Sequence, residues 1–142
     1  MTTKVECIQA SECAVTGKSI FTLLCDYPLD IHAQLLTHGV FSKNSSSCRA
    51  IPINTACDNL RANPAKKMWT AKQAGMQGNL ITDPTKIDQL NTMHNTFMEH
   101  AIANAKCMDN LGVHKQNAGR YLTPFQNIRI VLTSTEWENW DW

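Results

Sequence analysis

The sequence predicts a mixed α+β fold, with an antiparallel-type sheet, one long helix and several shorter ones. Three observations carry this reading. Two β-rich runs near the N-terminus flank a short turn at Thr16, Gly17 and Lys18, as a hairpin requires. Residues 83–110 repeat apolar side chains at steps of three and four, the period of a helix face. A run rich in β-branched residues, "NIRIVLTST", follows late in the chain.

The elements follow in order. "KVECIQASEC" and "SIFTLLCDY" form the hairpin strands. "PLDIHAQLLTHG" opens at Pro28 and closes at Gly39, the proline-start and glycine-stop arrangement of a short helix. A polar run, "HGVFSKNSSSCRAIP", occupies residues 38–52 and reads as a loop. "INTACDNLRANP" predicts a short helix ended by Pro64, and "KKMWTAKQAGMQGNL", with its two glycines, an ordered loop. Asp83 then caps and Pro84 starts a helix of about seven turns, which Gly112 closes. Its apolar stripe is Leu90, Met93, Phe97, Ala101, Ala105 and Met108, and core packing is its expected role. A shorter helix over 113–121, the strand at 127–135 and a final helix complete the order. Ser134 caps that last helix, which carries Trp137 and Trp140 on one face.

The 142 residues, 43% hydrophobic and 18% charged, suit one domain spanning 1–142. No segment reaches the ~18 unbroken apolar residues of a membrane span, and the N-terminus has no apolar signal region. These features predict a soluble, cytoplasmic protein. Cys7, Cys13, Cys25, Cys48, Cys57 and Cys107 include no C-x-x-C pair. The spacing argues against zinc, redox and disulfide roles and for idle thiols.

Charge is uneven. Between Asp30 and Asp83, six basic side chains face one acidic residue, Asp58. A second window, Asn110 to Thr135, carries Lys115, Arg120 and Arg129 and no acid. Such excess implies a polyanionic partner, either a nucleic acid or a phosphorylated nucleotide or cofactor. The polar run fits an anion: turn N–H groups and hydroxyls make a phosphate nest, and Arg49 adds a bidentate fork. A solvated linker has the same composition. No dinucleotide, Walker or metalloprotease motif accompanies it.

Four segments together resemble the flavin-dependent thymidylate synthases, particularly the bacteriophage-type members. They are "FTLLCDYPLDIHAQLLTHGVFSKNSSSCRAIP", "WTAKQAGMQ" (69–77), "VHKQNAGRYLTPFQ" (113–126) and "VLTSTEWENW" (131–140). The resemblance implies a homotetrameric, cytosolic enzyme of a bacterium or an infecting phage. It would make dTMP from dUMP with FAD, NADPH and methylenetetrahydrofolate. It assigns Ser47 and Arg49 to catalysis and to dUMP, with Cys48, Arg120 and Gln77 also on the dUMP side. His38, Ser42, Lys43 and Asn44 match flavin-side positions. Gly39 stands where the family has an arginine after the histidine, and Lys43 replaces another arginine. The resemblance further implies that the chain is the N-terminal part of such an enzyme, truncated at its C-terminus. Two other expectations follow. One is an inactive or split relative that binds nucleotide or a partner chain completing the site. The other, ranked last because aromatics are sparse in the basic stretch, is a nucleic-acid-binding module.

Overall fold

The structure is a computed structural model describing residues 4–75 and 78–138. Its four-stranded antiparallel sheet is ordered β1-β2-β4-β3, from β1 (Lys4–Glu12), β2 (Ser19–Pro28), β3 (Ser42–Ser45) and β4 (Asn127–Ser134). The hairpin forms as expected, with Gly17 at φ 67° in the turn, a conformation that favours glycine.

Alternation along β2 and β4 divides the sheet into two unlike faces. Cys25, Tyr27, Ile128, Ile130 and Leu132 are buried on one side. Cross-strand pairs Cys25–Ile130 and Tyr27–Ile128 lie among them. The intervening residues form polar pairs: Arg129 donates to both carboxylate oxygens of Asp26 at 2.9 Å, and the hydroxyls of Thr22 and Thr133 meet at 3.0 Å. Each such pair adds modestly to sheet stability. Phe41 and Trp137 cover the apolar face with ring centroids 5.0 Å apart.

The polar run is not all loop. Ser42–Ser45 form an edge strand on β4, with Ser42 opposite Thr133 and Ser45 opposite Ile130. Pairing to a strong central strand overrides the low β-propensity of Ser, Lys and Asn. The helix expected at 28–39 is shorter: a 3₁₀ turn at Leu29–Ile31 leads into α1 (His32–Leu36). α2 (Ile53–Ala62) ends at Asn63 before Pro64. Thr70 and Leu80 make one antiparallel bridge within the expected loop. After α4 (Lys115–Ala118), the chain tightens into a 3₁₀ turn at Gly119–Phe125.

α3 (Pro84–Asn110) is the long helix, and the Asp83 carboxylate accepts from the Thr85 and Lys86 N–H groups. Its buried face differs from the expected stripe. Met98, Ile102 and Ala105 are buried, whereas Met93 and Phe97 are 54% and 59% exposed. The register follows the helix's partners. Met98, Ile102 and Ala105 pack with Ile53, Cys57 and Leu60 of α2 and with Ala118, Leu122 and Phe125. His94, on the same side, meets the rings of Trp69 and Phe125.

The helix expected from Ser134 does not begin there: the chain bends at Thr135, is irregular at 136–137 and enters 3₁₀ conformation at Glu138. Ser134 Oγ accepts from the Glu136 N–H, and the Trp137 indole donates to the Ser134 carbonyl. Trp140 lies outside the described residues.

Ile102→Ala is expected to cost about 2–5 kcal/mol, as for other truncations of buried aliphatics. Phe97→Ala should cost less than about 1 kcal/mol; urea unfolding measures both, and equal costs would contradict the observed register. Stability should also fall in acid. Burial lowers the His32 and His94 pKa values below the ordinary 6.5, so their contribution is present above about pH 6.5 and is lost below it as the unfolded chain takes up protons. Melting temperatures from pH 8 to 5 test this, and a flat profile would contradict it.

Candidate functional site

The segment after β3 reaches the site through three fixed points. The Ser46 N–H donates to the Arg129 carbonyl at 3.0 Å, extending the β3–β4 pairing by one bond. A 3₁₀ turn at Cys48–Ala50 follows, with the Ala50 N–H donating to the Ser47 carbonyl at 3.3 Å. Pro52, with φ −59° and ψ 147°, then directs the chain into α2. Arg49 stands exposed on the turn.

Across from it lies the stretch from His114 to Phe125. His114 caps α4 by accepting the Gln116 N–H. Ala118, Leu122 and Phe125 face the core, so Arg120, between them in the turn, is turned outward. The two segments are tied directly, since Lys115 Nζ donates to the Ala50 carbonyl at 2.9 Å. A cleft of about 80 Å³ lies between them, lined by Arg49, Ile53, Lys115, Gln116, Arg120 and Gln126 among others. Arg49 and Arg120 thus meet at one cleft despite their distance in sequence. Among the described residues no carboxylate lines it. Three cations around one small concavity form a focused positive site for a compact anion.

Other basic residues of the two windows are engaged elsewhere. Arg61 forks onto Glu99 at 3.0 and 2.6 Å, Lys67 pairs with Asp30, and Arg129 pairs with Asp26. The charge excess read from the sequence is therefore partly neutralised by acids from outside the windows.

Among the expected dUMP-side positions, Ser47 and the backbone of Cys48 adjoin Arg49 in the same turn. Gln77 lies outside the described residues. The flavin-side positions do not converge on this cleft. Ser42, Lys43 and Asn44 lie on β3, and the Lys43 ammonium donates to the Leu36 and His38 carbonyls at the end of α1. His38 lines a separate apolar pocket of about 270 Å³ with Tyr27, Ile31, Gln34 and Leu35, and its ring meets Phe41 edge-on. Beside that pocket the Tyr27 hydroxyl and His32 Nδ1 are 2.7 Å apart. Burial raises the Tyr27 pKa to about 12, so the phenol stays protonated at neutral pH.

Lys115 and Gln126 belong to the site and were not singled out from the sequence. Both fall in "VHKQNAGRYLTPFQ", and the acid-free window around Lys115 was the one available signal. Among the described residues no cluster of three His, Cys, Asp or Glu side chains is placed to hold a metal ion. No helix there is long and apolar enough to cross a membrane. Cys25 and Cys57 are buried, and Cys7, Cys13 and Cys107 are exposed free thiols.

No protein-family description matches the chain, and no curated protein matches it. Solved structures do. The UMP/dUMP methylase PolB from Streptomyces cacaoi, bound with 5-Br UMP, superposes with a TM-score of 0.71. The chain shares its fold with a nucleotide methylase. The match covers 93% of this chain and 71% of that one at 14% identity. A second structure of the same methylase, bound with 5-Br dUMP, gives a TM-score of 0.65, 12% identity and coverage of 93% and 73%. At these identities the likeness is one of fold.

Lys115→Met removes the tie between α4 and the 48–50 turn. Trypsin should then cut after Arg49 several-fold faster, with the thermal midpoint little changed, because the loss is local. An unchanged cleavage rate would show that the tie does not hold the turn.

Proposed function

We propose that the chain binds dUMP and serves its methylation to dTMP, in the manner of the flavin-dependent thymidylate synthases. The observation that carries this reading is the meeting of Arg49 and Arg120, with Lys115, at one cleft where no carboxylate stands among the described residues. The two structures of like fold, bound with 5-Br UMP and 5-Br dUMP, add support. A phosphate dianion on Arg120, Lys115 and the planar fork of Arg49 would be neutralised by charge-assisted bonds. Ser47 and the Cys48 N–H would complete the nucleotide contacts. In this reading FAD, with NADPH and methylenetetrahydrofolate as co-substrates, supplies the reducing and one-carbon chemistry. A homo-oligomer fits the exposed apolar side chains Val5, Ile8, Met93 and Phe97.

One observation favours a second reading, a relative that binds nucleotide but does not turn it over alone. Lys43 is held by two backbone carbonyls, and Gly39 offers no side chain at the adjoining flavin-side position. Among the described residues, those two flavin-side positions therefore offer a pyrophosphate no uncommitted basic side chain. A partner chain would complete the site in a split enzyme.

Titration calorimetry with dUMP tests the nucleotide reading. Arg49→Ala and Arg120→Ala should each weaken binding by about 10–100-fold, the loss of one charge-assisted contact. No dUMP binding by the intact chain would contradict it. A dTMP assay with the full cofactor set separates the readings: turnover by this chain alone removes the second, and turnover only with an added polypeptide supports it.

A further inference from the structure

Residues 65–71 lie against α3 as an extended arm. Its base is pinned where the Ala65 N–H donates to the Phe125 carbonyl at 2.7 Å. Beyond that point alternate side chains turn inward, as on a strand. Lys67 pairs with Asp30, and the Trp69 indole donates to Asn91 Oδ1 of α3 at 2.9 Å. Met68, between them, is 84% exposed. The returning segment bonds to the arm itself: the Ala71 N–H donates to the Asn79 carbonyl and the Ile81 N–H to the Trp69 carbonyl.

His94 stands where these contacts meet. Its ring lies edge-on to Trp69 with centroids 5.9 Å apart, and 5.0 Å from the ring of Phe125. Its Nε2 is buried with no hydrogen-bond partner among the described residues. Burial and Lys67 of the arm oppose a proton on the ring, and they outweigh the Ala65 backbone and Asp30 of the 29–31 turn, which favour one. Among the described residues no charged group of α3 or of the 119–125 turn acts on it. A neutral ring therefore suits this place, whereas a cation would lose water beside a second cation. The geometry points to a pH-sensitive latch: neutral His94 holds the 65–71 arm on α3 through Trp69, and uptake of a proton releases the arm while the core beneath stays folded. That core stands without the arm, since Met98, Ile102 and Ala105 pack with α2 and with Ala118, Leu122 and Phe125. Under the closed arm the His94 pKa lies below the ordinary 6.5. In the open form the ring meets water and titrates near that value, so opening is favoured as pH falls below about 6.5.

Hydrogen exchange followed by NMR on the full chain from pH 7.5 to 5.5, corrected for intrinsic rates, tests this. The Ala65 N–H and the Trp69 indole N–H should lose up to about tenfold of their protection, the effect of one proton taken up over one pH unit. The Ala105 and Leu132 amides should keep theirs. The midpoint of the loss should coincide with the titration of the His94 ring, read from its own resonances in the same samples. His94→Phe keeps an aromatic ring that takes up no proton, and its protection should stay constant over the range. Constant protection in the intact chain would overturn the latch, as would the same acid loss in His94→Phe or a midpoint that follows another histidine. Greater protection in acid would also overturn it, since the two rings would then be holding a cation. Equal loss at Ala105 would overturn it by showing that the whole fold opens together.

Discussion

The pairing of β3 with β4 is the constraint on which the site depends. β4 is an inner strand, bonded to β2 along its whole length and to β3 over four register pairs. Its buried residues Ile128, Ile130 and Leu132 hold it in the sheet core. Because Ser46 still bonds to Arg129, the turn carrying Arg49 is fixed beside the N-terminal end of that strand. The residues just before β4 carry Arg120. One ladder thus brings two distant arginines to one place, and the Lys115–Ala50 bond closes the arrangement from the other side.

The helical layer supplies the second support. Ile53 and Leu60 of α2, Ile102 of α3 and Leu122 are each no more than 2% exposed. They clamp the start of α2 and the 119–125 turn against the long helix. The site's charged side chains project from backbone whose neighbours are core. Three like charges can be held close together at that cleft because the hydrophobic contacts beneath them, rather than attractions between them, fix their positions.

Much of this was legible in the sequence where the signal is local. Asp83, Pro84 and Gly112 bound the long helix because a cap, a proline start and a glycine stop act within a few residues. The hairpin was equally local. The buried face of α3 was not, because apolar residues lie on both sides of the helix and α2 and the 118–125 segment choose between them. Ser42–Ser45 could not be read as a strand, since their pairing is dictated by β4, which lies far along the chain. Of the residues singled out through a family resemblance, Arg49 and Arg120 line one cleft and Ser47 adjoins Arg49. His38 and Lys43 matched the same pattern yet face other surroundings. Gln126 closes one of the resembling segments but was not distinguished within it, because a glutamine before a strand looks generic until its burial is known.

In the proposed nucleotide complex Arg49 and Arg120 grip one phosphate. The most direct measurement is the ratio of dUMP to deoxyuridine affinity, taken for the intact chain and for the Arg49→Ala and Arg120→Ala variants. A large ratio that collapses in each variant is expected, since only the phosphate distinguishes the ligands. A ratio near one in the intact chain, or one that Arg120→Ala leaves unchanged, would contradict it.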